Sequence, residues 1–277
     1  FFLNGYCHLF LKLDNDKRFI EGTTFEEIYS LFLFDREFRN IIFKNLLIIE
    51  NNIKSIIAYQ LSRKYGYKES DYLKAKNFTH APQKSRQVND LIKKMKRQVR
   101  INAPQHAATM HYVNNYGYIP LWVLVKVLSF GIVGELYSIL KREDQNSIAE
   151  VYGLDADTLQ NYLPILANYR NLCAHEDIVF ENRTQRELGA TIYHKLLKIE
   201  QEEGEYLQGR NDIFALVIII KELLTNMEFK NLTEEIKHIL ENLEYNLKTI
   251  TMDKVLARMG FPANWQELAN ITKKVEE

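Results

Sequence analysis

One long run of apolar residues at helical spacing constrains the fold of this chain more than any other feature. The run begins after Thr24, which forms the pattern of a helix-capping box with Glu27, and it continues to about Lys64. Gly66 supplies the expected stop, and a break near Asp35 is compatible with the spacing. The apolar positions that keep the helical period are Ile28, Leu31, Phe32, Phe38, Ile42, Leu46, Ile49, Ile53 and Ile57. The pattern predicts a long helical region near the start of the chain.

Helical patterns also account for most of the remaining sequence. We predict a helix over residues 83–101, a helix from Pro120 to about 128, and another that runs to 141 after the break at Ser129-Phe130-Gly131. A short helix over 147–152 and an amphipathic helix through Leu159 to Cys173 follow, and then helices over 185–201, 212–228, 233–248 and 251–260. Strand patterns are nearly absent, and the 277 residues include only 11 Gly and 5 Pro. The sequence therefore predicts an all-α, multi-helix protein. A soft boundary near residues 202–211 divides residues 1–201 from a C-terminal helical extension, residues 202–277, that we expect to pack on them.

Composition bounds the class of protein and its setting. The formal net charge is zero, so only a local basic patch could attract nucleic acid. The two cysteines, Cys7 and Cys173, do not suggest a disulfide framework, and a reduced cytoplasm is the simplest setting. The longest uninterrupted apolar run, Ile213 to Ile220, is far shorter than the roughly 20 residues that span a bilayer. We therefore expect a cytoplasmic protein that does not associate with membranes.

The segment Arg170-Asn171-Leu172-Cys173-Ala174-His175 carries the strongest chemical signal. It places a permanent cation and an imidazole that titrates near neutral pH five residues apart. Arg can stabilise charge on a phosphoryl group and His can move a proton, so the pair suffices in principle to cleave RNA without a metal. From thirteen Arg and seven His, about one such spacing arises by chance. A second match, Arg100 to His106, contains Pro104, and we interpret it as coincidence.

The sequence around this motif predicts where it lies in the fold. An amphipathic helix runs into the motif, with apolar residues at Leu159, Tyr162, Leu163, Leu166, Tyr169 and Cys173. Pro164 predicts a kink or a restart, and the period is lost after His175, so the motif lies near a helix end. On a straight helix, five residues leave Arg170 and His175 roughly 140° apart. Either the helix end distorts, or two copies of the motif meet across a dimer.

The motif resembles the signature of the HEPN superfamily of helical ribonucleases, in which an Arg and a polar residue precede a His after four to six intervening residues. More narrowly, the chain resembles the Abi-like (abortive-infection) family of bacterial phage-defence proteins from residue 1 to about 185. Because that family usually has a further stretch before the Gly5-Tyr6 element and this chain begins at Phe1, we expect its N-terminus to be trimmed or missing. The ordered pieces that carry the resemblance are Leu3-Asn4-Gly5-Tyr6, residues 19–28, residues 31–39, Ile49-Glu50, Pro120-Leu121-Trp122, residues 128–131 and the motif.

The resemblance implies a multi-helix bundle of the HEPN type over residues 1–201, and it implies catalytic roles within the motif. His175 would act as general base or acid on the ribose 2′-hydroxyl or the 5′-oxygen, and Arg170 would stabilise the phosphorane oxygens. Asn171 fills the polar position of the signature, where it either orients the imidazole or phosphate or only caps the helix end.

Two acidic positions in the first long helix have alternative interpretations. Glu50 interrupts the apolar pattern, so it is either a buried carboxylate that needs a cationic partner or a solvated Glu on the polar face. The family keeps an acidic residue here, which makes Glu50 a supporting residue and Arg170 its candidate partner. Asp35, Arg36 and Arg39 resemble another family element, and we interpret Asp35 and Arg39 as an intrahelical ion pair.

A basic helix is the candidate surface for RNA, because Lys and Arg make most phosphate contacts. The alternative is an ordinary solvated helix face. Its cations, opposed within the run by Asp90 alone, are Lys84, Arg86, Lys93, Lys94, Lys96, Arg97 and Arg100. Aromatic residues mostly fall on apolar faces, so we predict that they belong to the core before they serve as stacking platforms for bases.

Other chemistries lack a sequence signal. His106 and His111 have no nearby Cys or pair of carboxylates, so we expect no metal site. We find no Gly-rich phosphate loop, no Ser-His-Asp arrangement and no catalytic carboxylate pair, and we expect no cofactor.

The sequence therefore favours a metal-independent endoribonuclease that acts in bacterial phage defence and works as a homodimer. One alternative is a non-catalytic RNA-binding or scaffold protein that uses the same basic surface. Another is a toxin that an antitoxin protein, or an inhibitory or guide RNA, holds silent.

Overall fold

The computed structural model describes residues 5–12, 18–102 and 106–272, and over these ranges the predicted all-α class is confirmed. Leu3 and Asn4 of the first family-like piece, and Pro104, lie outside the described residues. The α-helices are α1 Phe25–Tyr65, α2 Glu69–Tyr72, α3 Ser85–Asn102, α4 Ala107–Tyr116, α5 Leu121–Val127, α6 Phe130–Ile139, α7 Arg142–Ala149, α8 Ala156–Ala174, α9 Ile192–Leu196, α10 Ile213–Leu223, α11 Asn226–Asn246 and α12 Met252–Met259. Short 3₁₀ helices are Cys7–Phe10, Ala75–Asn77, Pro82–Lys84, Glu150–Tyr152 and Trp265–Asn270, and a hairpin pairs β1 Gln201–Glu202 with β2 Glu205–Tyr206.

Helix α1 is the long helix that the sequence predicts, and it is unbroken at Asp35. The Thr24 hydroxyl caps its start by accepting the Glu27 amide at 3.3 Å. The other half of the predicted capping box is wrong, because the Glu27 carboxylate accepts the backbone amides of Lys248 and Thr249, each at 2.7 Å. The Glu27 side chain therefore ties the first turn of α1 to the α11–α12 connection and does not bond back to the start of its own helix. Eight of the nine predicted apolar positions are buried, and Phe32 is half-buried.

The chain forms two compact units, and α1 and α8 each contribute residues to both. The first unit contains residues 1–47 and 168–277, and the second contains residues 48–167. Residues 202–277, predicted as a C-terminal extension, therefore belong to the same unit as the first half of α1. The boundary predicted near residue 202 stays a prediction.

Helix α10 lies in the core of the first unit. Every residue from Ile213 to Ile220 is at most 1% exposed, as expected for a helix that is apolar on all sides. Asp212 caps it, since one carboxylate oxygen accepts the Ala215 amide and the other accepts the Gly209 amide, both at 2.9 Å. No helix in the described part of the chain is long and apolar enough to cross a membrane.

The second unit contains the predicted basic amphipathic helix, which α3 confirms. Its apolar face is buried and consists of Val88, Leu91, Ile92 and Met95. Helices α5 and α6 follow Pro120 and Ser129, as predicted, and the Ser129 hydroxyl accepts the Ile132 amide at the start of α6. Contacts with α5 and α6 place one face of α3 in the core and leave its basic face exposed.

The predicted helix over residues 185–201 is wrong, because only the five residues of α9 are α-helical there. The backbone amides of Thr184 and Leu188 donate instead to the carbonyls of Asn211 and Arg210, at 2.8 and 2.7 Å. Backbone hydrogen bonds to residues 210 and 211 therefore take the place of local helical hydrogen bonds. The three remaining C-terminal helices of the prediction are confirmed as α10, α11 and α12, with bounds that differ by one to seven residues, since α11 begins at Asn226 and not at residue 233.

Candidate functional site

Helix α8 carries the Arg170–His175 motif at its C-terminal end. The predicted apolar face is confirmed, since all six of its residues are buried. The helix runs through Pro164 without the predicted restart and ends at Ala174, so Arg170 lies in its last turn and His175 directly follows it. Burial raises the pKa of the Cys173 thiol to about 12. Cys173 is therefore a neutral core residue within the motif and not a nucleophile.

A defined turn ends the helix. The Asp177 amide donates to the Leu172 carbonyl at 3.1 Å, and the Glu176 amide donates to the Cys173 carbonyl at 3.4 Å. This pair of bonds is a Schellman motif, and Glu176 occupies its left-handed position with φ of +59°. His175 is consequently the capping residue between the last helical turn and a fixed reversal of the chain.

Arg39 of α1 holds this turn from the side. Its guanidinium Nη1 donates to the carbonyls of Glu176 and Asp177, at 2.8 and 2.7 Å. The same nitrogen lies 3.8 Å from Asp35 Oδ2, so the predicted intrahelical ion pair is confirmed. Arg39 is only 5% exposed, so its guanidinium does not face solvent. It forms charged hydrogen bonds with the two carbonyls that directly follow the motif.

Asp35 holds the next part of the same segment. Its Oδ1 accepts the backbone amides of Val179 and Phe180, at 3.2 and 2.8 Å, and its Oδ2 accepts the Tyr6 hydroxyl at 2.8 Å. The Tyr6 ring also stacks on Phe180, with ring centroids 5.9 Å apart. Burial raises the pKa of Asp35, while these three hydrogen bonds and Arg39 favour its ionised form. The Tyr6–Asp35–Arg39 network therefore fixes residues 176–180.

The motif side chains differ in exposure. His175 and Asn171 are exposed, and neither side chain has a hydrogen-bond partner among the described residues, whereas Arg170 is half-buried. The His175 amide still donates to the Asn171 carbonyl at 3.0 Å, as in a regular helix. The helical geometry therefore persists to His175, and the separation of roughly 140° from Arg170 applies. The alternative of a distorted helix end before His175 is wrong.

Comparison with known proteins bears on this site. A family model described as Abi-like protein matches residues 1–181. The chain belongs to the Abi-like protein family. The match includes the Tyr6–Asp35–Arg39 network, α8, the motif and the turn beyond it, and it stops before α9–α12. No similar protein was found among curated proteins, and no solved structure matches the chain.

Glu50 of this Abi-like protein is buried and paired. It is 4% exposed, and Lys54 Nζ lies 2.6 Å from its carboxylate while also donating to the Leu128 carbonyl at 2.7 Å. The alternative of a solvated Glu on the polar face is wrong. Sequence reasoning missed Lys54, although its spacing four residues after Glu50 is the signal of a helical ion pair. The pairing of Glu50 with Arg170 stays a prediction.

Three of the seven cations in the predicted RNA-binding run are engaged within the second unit. Lys84 donates to the Ser138 carbonyl at 2.7 Å, and Lys94 donates to both carboxylate oxygens of Glu135 at 3.0 Å. Arg86 lies 3.7 Å from Asp90 on its own helix. Helix α6 supplies partners that the spacing within α3 could not reveal. Lys84 in particular is not an exposed cation.

The other four cations form an exposed stripe along α3. Their spacing of i, i+3, i+4 and i+7 places them on one face, and in the described chain none of them has a carboxylate partner. We call this the cationic stripe, and it consists of Lys93, Lys96, Arg97 and Arg100. Although the protein has no net charge, this surface is locally basic.

The remaining histidine candidates lie on or directly before α4. His106 directly precedes α4, and His111 lies exposed on α4 with its ring 5.5 Å from that of Tyr112. Within residues 5–12, 18–102 and 106–272, no three His, Cys, Asp or Glu side chains are grouped so that they could hold a metal ion.

Proposed function

We propose that this Abi-like protein is a metal-independent endoribonuclease of the HEPN type, which degrades RNA and arrests growth during phage infection. The observation that carries the proposal is the exposed His175 imidazole at a fixed helix end, five residues after Arg170. Family membership supports the link to abortive infection. The network that holds the turn supports catalysis over a purely structural motif, because it fixes the backbone directly after His175 and so limits where the imidazole that would transfer a proton can lie.

The proposed reaction uses the 2′-hydroxyl of the RNA as nucleophile and the side chains of the motif as catalysts. The ribose 2′-oxygen attacks the adjacent phosphorus, and its proton passes to a histidine that acts as base. The bond from phosphorus to the 5′-oxygen breaks, and that oxygen takes a proton from an acid. Arg170 stabilises the negative oxygens of the phosphorane. The products are a 2′,3′-cyclic phosphate and a 5′-hydroxyl.

A homodimer would complete this chemistry. The reaction needs a base and an acid on opposite sides of the phosphorus, and one motif supplies one imidazole. Because the helix is regular up to His175, Arg170 and His175 point in different directions on one chain. Two motifs related by a two-fold axis would place two His and two Arg around one phosphate. Light scattering that shows a fully active monomer would refute this assembly. A dimer with both His175 side chains on outer surfaces would refute the shared catalytic site but not the nuclease activity.

The cationic stripe is the surface that we propose for the RNA backbone. Four unpaired cations on one helix face match the electrostatic requirement of a phosphate chain without selecting a sequence. The same stripe favours the second candidate, a non-catalytic RNA-binding scaffold. A restrained toxin, silenced by an antitoxin protein or by an inhibitory or guide RNA, would share the site of the nuclease.

Incubation of purified protein with total RNA, with and without EDTA, tests the proposal. We expect cleavage in both conditions, and we expect His175→Ala and Arg170→Ala each to abolish it while circular dichroism stays unchanged. His238→Ala is the matched control, because His238 is also an exposed histidine on a helix of the first unit. RNA binding without cleavage by the unmodified protein would favour the scaffold. Cleavage that EDTA abolishes and Mg²⁺ restores would require a metal mechanism instead.

A further inference from the structure

An exposed cluster of aromatic rings lies on the second unit, where the sequence predicts mainly core aromatics. For Trp122, Tyr67 and Tyr116 the core prediction is wrong, since these side chains are 42, 43 and 57% exposed. Consecutive rings contact one another with centroids between 5.5 and 6.4 Å apart. We call these rings the aromatic cluster, and they are Tyr67, Tyr112, Tyr116, Tyr118 and Trp122.

The loop between α4 and α5 carries Tyr118, joins the helices that carry Tyr112, Tyr116 and Trp122, and is held in place. The Ile119 carbonyl accepts the Tyr72 hydroxyl at 2.8 Å, and the Ile119 amide donates to the Glu69 carboxylate at 2.6 Å. Helix α4 ends at Gly117, whose φ of +72° makes the reversal into this loop. The rings are therefore presented by a fixed backbone, and this reduces the entropy lost when a ligand binds them.

A pocket of about 520 Å³ opens beside the cluster, within the volume range of small-molecule sites. Trp122 and Tyr67 contribute to both the cluster and the pocket, and Tyr59, which is 62% exposed, also lines the pocket. Ser62 also lines the pocket, and its buried hydroxyl has no hydrogen-bond partner among the described residues. The aromatic walls of the pocket suit a flat ligand.

The charges around the pocket are positive. Its lining contains Lys54, Arg63 and Lys126 and no carboxylate, and the Lys54 charge is already balanced by Glu50. Arg63 and Lys126 are exposed and have no acidic partner in the described residues. Outside the pocket, Lys68 lies 5.3 Å from the ring centre of Tyr118. A ligand that combines a flat apolar face with negative charge fits this surface best.

We propose that the pocket binds an unpaired nucleobase of single-stranded RNA, with Trp122 and Tyr67 stacking on bases and Arg63 and Lys126 contacting the flanking phosphates. Every base has a π-face, so stacking tolerates sequence, while cations track the backbone. A duplex hides its base faces and would not use the pocket. The inference rests on the proposed function only in taking RNA as the ligand, and it adds a base-binding site built from residues outside the catalytic motif.

The test uses fluorescein-labelled 2′-O-methyl hexa-adenylate, which lacks the attacking hydroxyl and is bound without being cleaved. Binding to the unmodified protein and to variants is measured by fluorescence anisotropy at one fixed salt concentration. We expect Trp122→Ala to weaken binding about 5- to 150-fold, the range for loss of one stacked base. Trp122→Phe should recover part of the affinity. Tyr245→Ala is the matched control, because Tyr245 is 90% exposed and does not line the pocket, and it should bind like the unmodified protein.

Intrinsic fluorescence locates the bound base. The chain has two tryptophans, and Trp265 is only 3% exposed, so quenching by the hexamer reports mainly on Trp122. Equal binding by the Trp122→Ala and Tyr245→Ala proteins would overturn the proposal, as would a duplex of the same length that binds with the same dependence on Trp122. Adenosine monophosphate that binds as tightly as the hexamer would overturn the RNA assignment and identify a site for free nucleotides.

Failure of this site and failure of the nuclease are distinguishable. Binding of the hexamer that depends on Trp122 supports the pocket even if the protein cleaves no RNA. Cleavage by a protein whose hexamer binding ignores Trp122 supports the nuclease and removes the pocket.

Discussion

Replacement of Arg39 by Met should release the turn that follows the motif. Met keeps much of the side-chain length but removes both hydrogen bonds to the carbonyls of Glu176 and Asp177 and leaves Asp35 without its cation. Hydrogen bonds from a charged donor contribute about 1.5–3 kcal/mol each, and breaking a buried ion pair costs about 3–5 kcal/mol. The effects overlap, so we expect a loss of about 3–5 kcal/mol in the free energy of unfolding. Urea unfolding followed by circular dichroism measures it.

The same substitution should lower activity in protein that remains folded. Misplacement of a reacting group by about 1 Å can cost about 100-fold in rate, and we expect cleavage to fall by that order while RNA binding is retained. Arg36→Met is the matched control, because Arg36 lies on the same helix but is exposed, 5.9 Å from the Phe32 ring centre. Its loss should cost about 0.5–1 kcal/mol. If the two variants were equally stable and equally active, the positioning role of Arg39 would be refuted.

Three further predictions use other parts of the structure. Replacing all four residues of the cationic stripe with Gln should reduce the magnitude of the slope of log affinity against log salt concentration for single-stranded RNA. The reduction should be roughly 0.7 for each phosphate contact that is lost. An unchanged slope in a salt titration would make these charges ordinary solvated residues. For Glu27, burial opposes ionisation but the hydrogen bonds from Thr249 and Lys248 lower its pKa, so its stabilisation is present at neutral pH and lost as acidification passes that pKa. Glu27→Gln should be less stable by about 1–3 kcal/mol at pH 7, with a smaller loss of stability in acid, and parallel stability curves from pH 7 to 3 would contradict this. Because burial raises the Cys173 pKa to about 12, iodoacetamide at pH 8 should modify Cys173 only after unfolding, and mass spectrometry that finds it alkylated in folded protein would contradict its buried position.

The elements that sequence predicted well depend on local signals. Helices α1 and α3 follow directly from apolar spacing over many turns. Gly66 marks the end of α1 and Ser129 the start of α6 through local backbone chemistry. The position of the motif at the end of α8 is also local, since the apolar period stops after His175. These features require only residues within a few turns of one another.

The features that sequence missed depend on residues far apart in the chain. Arg39 and the turn it holds are separated by 137 and 138 positions, and Glu27 and its amide partners by 221 and 222. Spacing predicted the short-range pair of Asp35 with Arg39, but it did not predict that Arg39 also binds the carbonyls of the turn after the motif. In the same way, the charges of Lys84 and Lys94 could be counted, whereas their partners on α6 could not be identified.

The sequence pattern around Trp122 also led to a wrong prediction of which side chains are exposed. Trp122 follows Pro120-Leu121 in an apolar stretch, and its neighbours Leu121 and Val123 are indeed buried. Trp122 points to the other side of a helix only seven residues long, which is too short for apolar spacing to define a face. The exposed aromatic cluster therefore depends on the tertiary structure and not on a pattern in the sequence.

The chemistry of the RNA ends tests the central claim most directly. Unlabelled RNA is incubated with the purified protein in EDTA, and the new termini are identified by mass spectrometry, with His175→Ala treated in parallel. We predict 2′,3′-cyclic phosphates and 5′-hydroxyls from the unmodified protein and a loss of about 100- to 10,000-fold in their rate of formation with His175→Ala. Termini with 5′-phosphates and 3′-hydroxyls, or cyclic phosphates formed equally fast without His175, would contradict cleavage by 2′-hydroxyl attack at this motif.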